Sequence, residues 1–408
     1  MRRRQTQKHF SILRGLGNGE ASDEDATHGR PWNNAAVTSF AVRLLESPHP
    51  LCVGRTANSP VIRAYRSQRP EETPVWFMRQ AGRSLPEYRA LRTDTTMLDA
   101  CLDPALASEI TLQPVRRHGV DAAIFFSDIV IPLRLVGVGV EIVPGRGPVL
   151  EKPVRTAAEV EELVARDPAV LDQALAPIRE GVLRTVAALG ATPLIGFAGA
   201  PFTLAAYLVE GGPSKDYLRA RTLMHADPSS WARLMEWTAE VTGRFLRAQV
   251  LAGASAVQLF DSWAGALSLA DYTAHVAPAS ARALTYVRDL AFESDGIWHN
   301  VPIVHFGVGT GELLGAMHGI GADVVGIDYR IPLDEASNRL GGFVPVQGNV
   351  DPALLAAPWE VLSAHVDDVL RRGLSAPAHV LNLGHGVPPE SDPDVLTRLV
   401  AFVHAWRP

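Results

Sequence analysis

From Pro60 onward, short apolar runs recur along the chain, separated by longer stretches with helical periodicity. Eight of these runs read as strands: Val75–Met78, Asp121–Phe126, Leu194–Gly199, Ala256–Phe260, Pro302–Phe306, Val324–Ile327, Val344–Gln347 and His379–Leu383. Most are almost wholly apolar rather than alternating, the pattern of strands buried on both faces of a parallel sheet. Between them lie amphipathic stretches at Ala157–Ala165, Ala169–Leu189, Ser229–Leu251, Leu269–Leu290, Pro358–Arg372 and Asp394–Trp406. Asp-Pro pairs begin at Asp103, Asp167, Asp227, Asp351 and Asp392. Aspartate as N-cap with proline in the first turn is a physical start signal for a helix. Strands alternating with helices predict an α/β protein, a (β/α)8 TIM barrel forming one domain over residues 59–408. An open doubly wound sheet shares this pattern, because periodicity does not encode strand order. Gly139–Val154 departs from it: Val-Glu-Ile-Val, a Pro-Gly-Arg-Gly-Pro turn and a second apolar run predict a short hairpin inserted after the second strand.

Residues 1–58 carry no sustained period and read as a disordered N-terminal extension, with a short helical pattern at Ala35–Leu45. The charge divides at the same place. Residues 1–69 hold 11 Lys+Arg against 5 Asp+Glu, whereas the whole 408-residue chain has 38 against 44 and a net charge of −6. The body is therefore clearly acidic, which argues against a nucleic-acid partner. Two cysteines, Cys52 and Cys101, cannot build a disulfide scaffold and point to a reducing, cytoplasmic setting. No apolar run reaches the ~18 residues of a membrane span.

A barrel assembles its active site from residues just after its strands. These exits carry Arg79-Gln80-Ala81-Gly82-Arg83, then Ser127-Asp128, then Ala200-Pro201-Phe202-Thr203 with Tyr207 one turn later. They continue with Asp261-Ser262, Gly307-Val308-Gly309, Asp328-Tyr329-Arg330, Gly348-Asn349 and Gly384-His385-Gly386. Arg79 and Arg83 suit a substrate with several carboxylates or phosphates, because guanidinium binds such groups through paired hydrogen bonds. Pairing with Glu87 or Asp94 is the competing reading. Asp128, buried in a barrel mouth, needs an arginine or a ligand N–H as partner. Tyr207 and Ser262 are neutral hydrogen-bonding groups. His385 between two glycines is either a ligand contact or a loop histidine bonded to backbone. No His/Cys spacing builds a zinc site, so no metal is expected. Gly307–Gly311 lacks the third glycine of a dinucleotide fingerprint and reads as a tight turn.

Two segments are similar to the signatures of the uroporphyrinogen decarboxylase family: Pro74-Val75-Trp76-Phe77-Met78-Arg79-Gln80-Ala81-Gly82-Arg83, and Gly196–Gly211 with its Ala-Pro-Phe-Thr core. Phe126-Ser127-Asp128-Ile129 and Asn382-Leu383-Gly384-His385-Gly386 resemble that family too. The resemblance implies a TIM barrel, a homodimer, and removal of CO2 from the four acetates of uroporphyrinogen III without metal or organic cofactor, giving coproporphyrinogen III. It implies that Arg79, Gln80, Ala81, Gly82 and Arg83 line the cleft and bind carboxylates. By the same resemblance Asp128 accepts hydrogen bonds from pyrrole N–H groups, while Tyr207, Ser262 and His385 contact the macrocycle or its carboxylates. The text around Ser262 matches more loosely than the signatures.

The chemistry agrees with that set. Loss of CO2 from a pyrrole acetate leaves an electron pair that needs a sink. Protonating the neighbouring ring carbon makes the ring a cation, so the substrate supplies the sink that a cofactor supplies elsewhere. The protein must deliver a proton, stabilise the cation and hold the carboxylates. Asp128 suits the second task. For the first, Arg79 has the position, although guanidinium is a weak acid, and His385 has the more suitable intrinsic pKa. A methyltransferase of the same superfamily and a non-catalytic tetrapyrrole binder are the other readings. The first would require a His/Cys-rich zinc site.

Overall fold

A computed structural model describes residues 42–408. Its centre is a parallel sheet in which successive strands are neighbours: Ala123–Ile124, Leu194–Gly199, Ala256–Asp261, Ile303–Gly307, Val324–Gly326, Val346–Gln347 and His379–Val380. The Val75 segment closes it. Val75 bridges Leu381 in parallel, and its carbonyl accepts from the Asp121 amide at 2.9 Å. The eight predicted strand positions thus form a closed (β/α)8 barrel, which excludes the open doubly wound sheet. Several strands, such as Ala123–Ile124, Val346–Gln347 and His379–Val380, are shorter than their apolar runs.

The barrel interior is not purely apolar. Trp76 Nε1 donates to the Tyr65 hydroxyl (3.1 Å), which donates to Gln347 Oε1 (2.5 Å). Gln347 Nε2 in turn donates to Gln258 Oε1 at 2.9 Å. Each bond satisfies a buried polar group that would otherwise destabilise the fold, and together they join the first, fourth and seventh strand positions in one register.

All five Asp-Pro pairs start helical segments. Asp103, Asp167, Asp227, Asp351 and Asp392 each accept a backbone N–H at the N-cap. Two expected helices are divided. Ala169–Leu189 becomes Leu171–Ala174 and Ala176–Leu189, and Leu269–Leu290 becomes Leu269–His275 and Ala277–Arg288. In both, a proline near the start of the second piece (Pro177, Pro278) removes a donor from the helical ladder. Leu290 belongs instead to the strand Leu290–Ser294, which turns through Asp295-Gly296 and pairs antiparallel with Ile297–Asn300. Both turn residues have positive φ, +54° and +74°, as a tight two-residue hairpin requires. Val140–Val143 and Gly147–Leu150 also pair antiparallel after the second barrel strand.

The boundary of the N-terminal extension needs correcting. Residues 42–58 are ordered against the barrel. Arg43–Leu44 is extended and pairs with Leu290–Ala291, where a helix end was expected. Leu51 is fully buried, His49 Nε2 lies 2.9 Å from the Val250 carbonyl, and Thr56 Oγ1 lies 2.8 Å from Ser255 Oγ. The remainder of the predicted extension and helix, residues 1–41, lies outside the described residues.

Candidate active site

The first and last barrel segments are joined at the mouth. Asn382 Oδ1 accepts the Met78 amide at 2.9 Å, and the Met78 carbonyl accepts the Val387 amide at 2.8 Å. This brings Arg79 beside the Gly384-His385-Gly386 loop. Arg79 has φ +61°, a left-handed conformation costly for a side chain larger than glycine's, held here by the bonds of Met78 before it. Its stem passes so close to Gly386 that a Cβ on that glycine would lie 2.5 Å from Arg79 Cδ. Among the described residues, neither Arg79 nor Arg83 forms an ion pair. Glu87, a candidate partner, is taken by Arg117 at 2.7 Å.

Gln80 is placed differently from its expected role in lining the cleft. Its side chain is fully buried, with Oε1 accepting the Phe77 amide (2.9 Å) and Nε2 donating to the Ala122 carbonyl (3.0 Å). Both ends of the amide are spent bracing the loop. Ala81 and Gly82 are partly exposed, and Ala81 packs on the core.

Asp128 is partly buried at the second exit, and its Oδ1 accepts the Val130 amide at 3.0 Å. Burial raises its carboxyl above the ordinary range, opposed by that hydrogen bond and by the positive charge of Arg79. Tyr207 projects from the helix Pro201–Glu210. Burial, and then the charge of Asp128, push its hydroxyl up, so it stays a neutral phenol. His385 Nδ1 accepts the Gly386 amide at 2.8 Å, which leaves Nε2 to carry the proton in the neutral ring. Burial first, then Arg79 and Arg330, lower its pKa. Arg79, Asp128, Tyr207 and His385 therefore share one field, although they come from four different strand exits.

Ser262 is partly buried at the fourth exit. Asp261 before it turns inward, fully buried, and accepts from Thr203 Oγ1 at 3.0 Å. Trp263 after it faces the mouth: its ring lies 3.9 Å from that of Tyr207 and 4.5 Å from that of Tyr217. Trp263 and Arg330 were not among the expected site residues. Arg330 pairs with the buried Asp328 and stacks 4.6 Å over Tyr329. An aromatic directly after a strand exit and an arginine two places past Asp328 were the available signals.

The barrel mouth thus places Arg79 in one field with the Asp128 carboxylate, a neutral phenol and a neutral imidazole, with Arg330 beside His385. Such a set can bind a polyanion while stabilising positive charge deeper in the pocket.

Comparison with known proteins gives this arrangement a context. A solved methyltransferase from Methanosarcina mazei superposes with a TM-score of 0.71 at 17% identity, covering 85% of this chain and 98% of that one, a likeness of fold. A uroporphyrinogen decarboxylase from Leifsonia xyli subsp. xyli is 68% identical over 374 residues, covering 90% of this chain and 99% of its own. One from Arthrobacter sp. is 66% identical over 355 residues, covering 87% and 99%. The family described as Uroporphyrinogen decarboxylase (URO-D) matches residues 56–406, and this chain belongs to it.

Proposed function

We propose that the protein removes CO2 from the four acetate side chains of uroporphyrinogen III, giving coproporphyrinogen III in haem biosynthesis, and that it does so with its own side chains and the substrate's ring as electron sink. The observation that carries this reading is the partly buried carboxylate of Asp128 in the field of Arg79, which with Arg83 forms no ion pair among the described residues. Family membership and the high identity to named decarboxylases support it.

In this reading Arg79 and Arg83 hold peripheral carboxylates, with Arg330 as a further cation at the rim. Asp128 accepts the pyrrole N–H groups. A proton adds to the ring carbon beside an acetate, and the ring becomes a cation facing Asp128. The C–CO2 bond then breaks and its electron pair neutralises the ring. A second proton adds to the exocyclic carbon as the first leaves, so each turn consumes one proton net and converts an acetate into a methyl and CO2. His385, held neutral, is a hydrogen-bond donor through Nε2 and a poor acid. Position rather than acidity puts the proton's arrival on the Arg79 side, from the guanidinium or a water that it holds, since guanidinium is itself a weak acid. Tyr207 and Ser262 donate to carboxylates or the macrocycle. The enzyme acts as a cytoplasmic homodimer. Family resemblance supports the dimer, and two free cysteines, Cys52 and Cys101, fit the compartment. Among the described residues, no helix is long and apolar enough to cross a membrane.

The test is Asp128→Asn assayed on uroporphyrinogen III, following hepta- to tetracarboxylate products. Turnover falls by about 10²-fold or more while the fold is kept, because charge rather than shape is removed. Near-normal turnover would defeat the role.

A further inference from the structure

Among the described residues, one set of metal-ligating side chains converges outside the barrel mouth. His225 lies in the last turn of the helix Leu218–Ala226, while Asp271 and His275 lie at i and i+4 on the helix Leu269–His275. That spacing puts the two side chains on one helix face. The ligand atoms of all three residues fall within 4.8 Å of one another. His225 Nε2 is 3.5 Å from Asp271 Oδ1, and the two imidazole rings stand edge to face at 5.7 Å and 83°. A His–Asp ion pair would explain two of these residues. It does not explain why the second imidazole turns toward the same point.

We propose that His225, Asp271 and His275 form a binding site for a divalent transition metal ion such as Zn2+. Around zinc, ligand atoms sit about 2.0–2.2 Å from the ion, so tetrahedral neighbours lie roughly 3.3–3.5 Å apart. His225 and Asp271 already have that separation, and the remaining donors need only small side-chain adjustments. Two imidazoles with one carboxylate suit Zn2+, Co2+ or Ni2+. Ca2+ and Mg2+ want an all-oxygen shell. Three protein ligands also leave a position open to water or an exogenous ligand.

The helix that carries Asp271 and His275 is anchored to the body of the protein. Tyr272, between the two ligands of the second helix, is fully buried. The His275 carbonyl accepts Trp231 Nε1 at 3.1 Å, tying that helix end to the helix Pro228–Leu251. The placement gives the site a consequence. Tyr217 immediately precedes the helix that carries His225, and its ring stacks on Trp263, which in turn contacts Tyr207. A metal joining the two helices would clamp the segment that closes this aromatic stack.

The experiment uses the full-length, tag-free protein, stripped of metal. Co2+ is titrated while visible absorption is followed, and Zn2+ is titrated while Tm is followed. Wild type binds one Co2+ per chain with intense d–d bands, and saturating Zn2+ raises Tm by a few degrees. In His275→Gln and Asp271→Asn the affinity falls about tenfold or more, since losing a ligand costs at least as much as losing an outer-shell partner. The exposed His225→Gln serves if His275→Gln fails to fold, and decarboxylation in metal-free buffer reports folding. Undiminished Co2+ binding in the folded variants, or the lack of any optical or Tm response in wild type, would overturn the proposal.

Discussion

Gly386 shows how a residue without a side chain shapes the site. The Arg79 stem occupies the space where its Cβ would be. Gly386→Ala therefore displaces Arg79 without touching any group that contacts substrate. The expected outcome is a rise in KM for uroporphyrinogen of about tenfold, the scale of losing one charge-assisted hydrogen bond, with Tm little changed. An unaltered KM would show that Arg79 binds equally well from another rotamer. At this scale the sequence was a good guide where a residue's chemistry has few uses. Arg79, Asp128 and His385 could be placed at strand exits because each closely follows an apolar run that reads as a strand. The part played by the Gln80 side chain is not legible in sequence, because an amide serves backbone and ligand equally well, and only the fold shows both of its ends bonded to backbone. Trp263 is marked in sequence only by its place after a strand exit, because the aromatic stack depends on Tyr207 and Tyr217, which lie far from it in the chain.

At the scale of elements, aspartate capping was the most legible signal, since it is local and each predicted cap is formed. Divided helices were harder to see. The pattern through Ala169–Leu189 is continuous, and what interrupts it is a donor missing at Pro177 rather than a polar face. The segment 42–58 was illegible for another reason: its buried residues contact distant parts of the chain and so leave no period. That segment yields a prediction. Deleting residues 1–58 removes fully buried Leu51, the parallel pairing of Arg43–Leu44, and the bonds of His49 and Thr56. The deletion lowers Tm by several degrees, because burying one such leucine alone contributes about 2 kcal/mol. Thermal unfolding compared with the full chain checks this, and an unchanged midpoint would mean that the segment rests on the barrel without supporting it.

For the whole molecule, buried histidines set the response to acid. Burial holds His49, His118 and His379 at about 4, well below the unperturbed value of about 6.5. As pH falls, the unfolded chain takes up these protons before the folded one does. The stability they confer is full above about pH 6.5 and is lost progressively as pH falls toward 4. Each contributes a slope of about 1.4 kcal/mol per pH unit inside that window. His404 opposes them, since Asp121 raises its pKa, but burial also lowers His299, His365 and His385, so it is one group against six. Tm should therefore fall steeply from about pH 6.5 downward, and a flat Tm to about pH 4.5 would show that these rings protonate in place. Charge at this scale misleads in one respect. The net of −6 describes a molecule that would repel a polycarboxylate, yet in the proposed reading a few cations at the mouth govern binding.

The bond from the Met78 amide to Asn382 joins residues 304 positions apart, and with it the two loops that carry Arg79 and His385. A ribosome delivers residues in order, at roughly 5–20 per second. During synthesis Arg79 emerges early and waits, beside no partner, until almost the entire polypeptide has followed. A chain that stops before Asn382 lacks this bond and the loop that carries His385. Catalytic competence in this protein is therefore a late event of translation, acquired when the last strand seats against the first.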